Sequence, residues 1–313
     1  MAAKISYCIV MQRSRGCLPP IFPTLPALTL GLTLVLMFAP AAISGTSGWS
    51  RFEGGSVRLI STGPLADGRY DTGIEFVLDP GWHTYWEHAG EAGIPPQADW
   101  TESGNLGDAR LQFPYPERYD DGFSVSNVYR NGIVLPLAVR PERPEHPVQL
   151  VVNLTFGNCK EICGPASARR AMTLDPTDAE DRTSYRAIAR ARADVPMPAQ
   201  ATDPLVSRLF LRKDGKKEKL DLSLAIPAGM DIDDVEIFAS APQDLSLGVP
   251  RRTKPEWKQA TGDWVLSLGG LPDSVTVLPL RLVLVAGRHA VEQRFEVNRS
   301  TGAVTEVHPA RPR

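Results

Sequence analysis

The sequence lacks most of the features that mark the common function classes. Lys and Arg number 34 against 36 Asp and Glu, a net charge of -2 over 313 residues, so the basic surplus of a counterion-releasing nucleic-acid binder is missing. No Gly-x-Ser-x-Gly, P-loop or His-Glu-x-x-His pattern occurs, and serine-hydrolase, NTPase and zinc-protease readings lose their support. Asp231, Asp233 and Asp234 lack the spacing and glycine of an EF-hand and read as a solvated turn. Beyond residue 45 no apolar run approaches the ~20 residues of a membrane-crossing helix. Cysteine is scarce, at four residues. What the chain has in excess is Gly (26) and Pro (28), which points to many turns and short strands rather than a helical bundle.

The N-terminus has the layout of an export signal. Lys4, Arg13 and Arg15 form a basic region without acids, Ala27 to Ala39 is apolar apart from Thr and Gly, and Pro40-Ala41-Ala42-Ile43-Ser44 supplies small residues for a cut near Ser44 or Gly45. Residues 1–45 are therefore expected to be removed and the mature chain to be periplasmic. Cys8 and Cys17 leave with the leader, and Cys159 and Cys163 remain in an oxidising compartment.

The mature chain reads as mainly β. Val148, Leu150, Val152, Leu154 and Phe156 alternate with mostly polar residues, the pattern of a strand buried on one face, and Gly157-Asn158 reads as its end. The cysteine pair is then expected on a loop or tight turn just beyond that strand. Thr177 and Glu180 match a capping box ahead of a helix through Tyr185–Ala193, and Pro196, Pro198 and Pro204 mark a linker. Strand patterns resume at Leu220–Ile226 and Leu280–Leu284, and Asp214-Gly215 reads as a hairpin turn. The expected architecture is two immunoglobulin-like β-sandwiches, 46–176 and 205–300, joined by a helix and linker at 177–204, with a tail at 301–313.

Three readings of Cys159-Lys160-Glu161-Ile162-Cys163 stand side by side. A structural staple would close a loop of about five residues, worth only ~2 kcal/mol in the chain-entropy model. A short, accessible disulfide is readily reduced, which favours redox work. Two thiolates also suit Cu(I), and the spacing occurs in Sco-type copper proteins, although those use a thioredoxin fold that this chain does not show. No other cofactor is indicated. The segment Gly81-Trp82-His83-Thr84-Tyr85-Trp86-Glu87-His88 is the second constellation. On a strand, His83 and Tyr85 share one face, where an imidazolium would lower the pKa of a nearby thiol, or where aromatic rings would hold a ligand.

Taken in order, Gly81–Trp86, Gly90-Glu91-Ala92-Gly93-Ile94-Pro95-Pro96, Tyr129-Arg130-Asn131 leading to Leu135-Pro136, and the cysteine pair resemble the N-terminal periplasmic domain of the thiol:disulfide interchange protein DsbD. The likeness is greatest to the extended form in ScsB-type copper-tolerance proteins and covers residues 49 to 175. It implies an immunoglobulin-like sandwich whose cysteines shuttle electrons as part of a protein-disulfide reductase system. The donor would be a membrane-embedded thiol reductase acting through a thioredoxin-like domain. The acceptors would be thioredoxin-like periplasmic proteins such as a disulfide isomerase or a cytochrome c maturation thioredoxin. Cys163 would attack the partner disulfide and Cys159 would resolve it. His83 and Tyr85 would flank the pair, and Asp120, Asp121 and Phe123 would form a cap over it. Two departures bear on this. Three residues separate the cysteines instead of five, and the electron donor would have to be a separate protein.

Overall fold

The computed structural model describes residues 45–308 apart from 216, 243–244 and 254–262. The expected leader therefore lies outside the described residues except for Gly45, as does the end of the tail.

In chain order come β1 (Ser50–Phe52), β2 (Gly55–Pro64), β3 (Tyr70–Leu78), β4 (His83–Gly90), β5 (Gln97–Asp99) and β6 (Leu106–Leu111). They are followed by β7 (Glu117–Asp120), β8 (Val125–Arg130), β9 (Gly132–Pro141), β10 (Val148–Cys159) and β11 (Cys163–Leu174). One antiparallel sheet has the order β1-β2-β3-β9-β6, the other β11-β10-β4-β8-β7 with β5 also on β10. The alternating residues of β10 point into the space between these sheets, where Val148, Leu150, Val152, Leu154 and Phe156 are at most 1% exposed. They share a core with Leu59, Ile74, Phe76, Trp86 and Leu135.

Helix α1 (Arg182–Ala193) follows, but it starts later than the capping-box pattern predicts. Asp181 is the cap, its carboxylate accepting from the amides of Thr183 and Ser184, while Thr177 is drawn into a turn by Asp175. The helix lies on β2, β3 and β9 with Ile188 buried, so it covers the first pair of sheets.

The remaining strands are β12 (Met197–Pro198), β13 (Leu205–Asp214), β14 (Lys217–Ala225), β15 (Val235–Ser240), β16 (Arg251–Arg252), β17 (Trp264–Ser267), β18 (Val277–Ala286), β19 (His289–Asn298) and β20 (Val304–Glu306). They form the sheets β12-β19-β18-β15, with β20 on β19, and β13-β14-β17-β16, around a second core that includes Leu222, Ile237, Leu266 and Leu282. The expected linker thus contributes a strand at Met197–Pro198, and the expected tail is a strand at Val304–Glu306.

The two cores touch. Phe238, Val283, Val285 and Ala290 of the C-terminal sheets pack into the first core, and the described residues form one compact unit. The contact is made at an irregularity in β4. Tyr85 pairs with Val128 and Gly90 with Ser126, so the four residues Trp86–Ala89 bulge opposite the single residue Asn127. The C-terminal sheets meet this bulge: Trp86 packs on Phe238 at 6.1 Å, Glu87 pairs with Arg281, and His88 Nε2 lies 3.2 Å from the Leu245 carbonyl. Arg118 Nη2 adds a 2.6 Å bond to the Ile237 carbonyl, and Arg251 grips both oxygens of Glu91 at 2.8 and 2.9 Å.

Candidate functional site: a disulfide at a hairpin tip

Gly157-Asn158 does not end β10. The β10–β11 ladder runs unbroken from Val148↔Leu174 to Cys159↔Cys163, so the cysteines face each other as the last cross-strand pair of a hairpin closed by Lys160-Glu161-Ile162. They are disulfide-bonded, with Cα atoms 4.2 Å apart. Cys159 is completely buried, whereas Cys163 is exposed. Only one sulfur of the pair is thus offered to a partner.

Gly157 lies on the face of β10 opposite the apolar series, and the reason it carries no side chain is steric. A Cβ at this position would stand 2.7 Å from ring carbons of Tyr85, and one at Gly93 (φ +123°) would stand 2.1 Å from the opposite side of the same ring. Two glycines thus form a slot for Tyr85, which is 3% exposed and seated with Cys159, Ala89 and Val128. From that slot the Tyr85 hydroxyl reaches both sulfurs, 2.8 Å from Cys159 Sγ and 3.3 Å from Cys163 Sγ. A disulfide sulfur carries no proton, so the hydroxyl is the donor to both. Burial, with the charge of Asp121 adding to it, pushes the Tyr85 pKa up to about 12, and the phenol keeps its proton at neutral pH.

His83 is the cross-strand neighbour of Cys159 on one side and of Arg130 on the other. Its ring meets Tyr85 at 5.6 Å and Tyr119 at 4.8 Å, and Arg130 lies 5.0 Å over Tyr119. The expected imidazolium is not what this setting favours. Burial first, then the positive charge of Arg130, lower the His83 pKa, with Asp121 only partly opposing them. At neutral pH His83 is a neutral ring, and the cation beside it is Arg130.

Asp120, Asp121 and Phe123 lie together at the β7–β8 turn. Asp120 Oδ1 accepts from the Gly122 amide at 2.9 Å, and Asp121 Oδ1 from the amides of Phe123 at 2.8 Å and Ser124 at 2.7 Å. Those amides hold the Asp121 carboxyl below the usual carboxylate range. Phe123 is fully exposed, so its ring covers neither sulfur in this structure. Sequence reasoning missed Tyr119, although it directly precedes the Asp120-Asp121 pair, and it missed the two slot glycines.

The site is thus a disulfide with one exposed sulfur at a hairpin tip of a β-rich fold. Residues 59–175 match the family model of the thiol:disulfide interchange protein DsbD, N-terminal, a family with an immunoglobulin-like fold, and the stretch contains both cysteines. The resemblance read from the order of motifs is borne out by this match. The fold is similar to that in the crystal structure of the N-terminal periplasmic domain of ScsB from Proteus mirabilis, with a TM-score of 0.60 over 81% of this chain and 98% of that one at 20% identity. No curated protein sequence matches the chain. Among the described residues no helix is long and apolar enough to cross a membrane.

Proposed function

We propose that this chain is a periplasmic thiol–disulfide exchange protein, with Cys163 as the attacking residue and Cys159 as the resolving one. The observation that carries this reading is the asymmetry of the pair: one sulfur exposed, one fully buried, both within reach of a single buried phenol. In the reduced protein the Cys163 thiolate attacks a partner disulfide, forming a mixed disulfide and releasing one partner thiolate. The Cys159 thiolate then attacks Cys163 Sγ, the Cys159–Cys163 bond forms, and the second partner thiolate leaves. Two electrons pass to the partner and the protein ends oxidised. Tyr85 donates to the Cys159 sulfur whenever it carries charge, in either direction of the reaction.

The family likeness supports the following route. A membrane-embedded thiol reductase of the DsbD/ScsB type reduces the pair. The pair in turn reduces thioredoxin-like periplasmic proteins, of the kind that isomerise disulfides or mature cytochrome c. Residues 1–45 act as a leader removed on export, 46–176 as the exchange domain and 205–300 as a second sandwich. Asp120, Asp121 and Phe123 form a cap that meets the partner.

The test is to express Cys159→Ala in the native host and run non-reducing gels. A disulfide-linked adduct that disappears when Cys163→Ala is added is expected, and its mass identifies the partner. If neither single variant gives an adduct, exchange is the wrong reading, and a Cu(I) titration of the pair follows.

A further inference from the structure

Strand β11, which begins at the exposed Cys163, is the end strand of its sheet, and among the described residues nothing pairs with its outer edge. Which of its backbone groups face outward can be worked out from β10. The Gly157 amide donates to the Ile94 carbonyl at 2.8 Å, and the Gly157 carbonyl accepts from Thr84 Oγ1 at 2.8 Å. Both groups therefore point away from β11, and Gly157↔Pro165 is a non-hydrogen-bonded pair of the ladder. The Pro165 carbonyl consequently points to the outer edge, and by the two-residue period so do the amides and carbonyls of Cys163 and Ser167. Proline, which has no amide hydrogen, sits where β10 asks for none.

This edge borders a cleft of about 710 Å³, which opens between β11 and β1 and also takes in Trp82 and Ile162. Ile162 is 84% exposed. Its lining includes the residues on either side of Cys163 in the chain, Ile162 and Gly164, together with Pro165 and Ser167.

We propose that the outer edge of β11 from Cys163 to Ser167 captures the partner's cysteine-bearing segment as an added β-strand, and this rests on the exchange reading above. The segment is held by its main chain, through the Cys163 and Ser167 amides and the Cys163, Pro165 and Ser167 carbonyls, and it carries its own cysteine alongside Cys163. The missing donor at Pro165 keeps the ladder short, which suits a partner that must leave and disfavours open-ended pairing between copies. The chemistry is the exchange already balanced: Cys163 attacks the disulfide of the bound segment, and Cys159 releases it.

The probe is an extended eight-residue peptide with one central cysteine, blocked as its glutathione mixed disulfide, reacted with the reduced protein. An analogue N-methylated on the amides flanking the cysteine is expected to react about tenfold more slowly, the cost of one lost hydrogen bond. Ser167→Pro removes an outward amide only. It is expected to slow the parent peptide similarly while leaving exchange with glutathione disulfide unchanged. Equal rates for parent and methylated peptides overturn the proposal, and this comparison holds even if the Ser167→Pro variant folds poorly. Concentration-dependent dimerisation abolished by Ser167→Pro also overturns it, assigning the edge to a second copy. If glutathione disulfide itself does not react, the exchange reading has failed, and this inference with it.

Discussion

The contact between the bulge of β4 and the C-terminal sheets makes a quantitative prediction about Arg281. Its guanidinium pairs with Glu87 on the bulge and with Glu292 on β19, and it lies 6.0 Å from the Trp86 ring. The side chains of Arg281, Glu87 and Glu292 are 17%, 19% and 7% exposed, so the group is largely dry. Arg281→Met keeps the packing volume but leaves two carboxylates facing each other. Removing one partner of a buried pair costs about 3–5 kcal/mol. Arg294, 2.9 Å from Glu292, still compensates one of them, and residual solvent screens the other. The expected loss is therefore about 3 kcal/mol, or about 6–12 °C in Tm for a unit of this size. The assay is urea unfolding of the oxidised protein. Adding Glu87→Gln to Arg281→Met should return about half of the loss, because the uncompensated charge is then gone. A single variant within 0.5 kcal/mol of wild type, or a double variant weaker than the single, would refute the idea that this ion cluster braces the strand carrying His83 and Tyr85.

Three further outcomes are expected. Tyr85→Phe keeps the ring in its glycine slot but removes the donor to both sulfurs; resolution of a Cys163 mixed disulfide should slow about tenfold in rapid-mixing experiments, and an unchanged rate would remove Tyr85 from the chemistry. Gly157→Ala places a methyl 2.7 Å from the Tyr85 ring and 3.0 Å from the Ile94 carbonyl, so it should cost about 1–3 kcal/mol in denaturant melts and reproduce the kinetic defect of Tyr85→Phe. Burial holds His83 and His88 below the ordinary histidine value of 6.5 in the folded chain, so the unfolded chain binds more protons as pH falls through 6.5. Their contribution is full above that pH and is lost below it; melts between pH 7.5 and 5 should show the fall, His88→Asn should flatten it, and a level profile in the wild type would contradict the burial argument.

Much of the first pair of sheets could be read in the residues, because a strand buried on one face writes itself as alternation. Val148 to Phe156 is the clearest case, and every alternate apolar residue there points inward. The same rule misjudged Gly157, since a glycine that ends a strand and one that makes room for a ring look alike in sequence. What distinguishes them is Tyr85, 72 positions earlier, and long-range contacts leave no local trace. The cysteine pair was identifiable from spacing and compartment, but the unequal burial of its sulfurs comes from the hairpin register. His83 was visible as a neighbour of the site, whereas its burial and the Arg130 charge beside it, which together lower its pKa, are set by the fold. The cap turn was legible as Asp120-Asp121, whereas the full exposure of Phe123 is a property of the folded turn. The bulge at Trp86–Ala89 had no sequence signature; its contacts are with residues of the C-terminal sheets far along the chain, such as Phe238 and Arg281.

The hairpin has a consequence for timing. Twelve successive residue pairs hold β10 against β11, and the cysteines are the last of them. The two sulfurs would stay neighbours even with the bond between them broken, since the ladder, not the bond, keeps them together. Ring closure after a partner has been attacked then proceeds as an intramolecular step, for which well-oriented groups reach effective molarities on the order of 10⁵ M or more. On the proposed exchange reading a half-reacted adduct is accordingly brief, and electrons pass two at a time without stranding a partner on the surface. Loosening the ladder near Asn158 and Gly164 would lengthen the life of that adduct before it altered the equilibrium, giving the hairpin the part of a clock for the exchange.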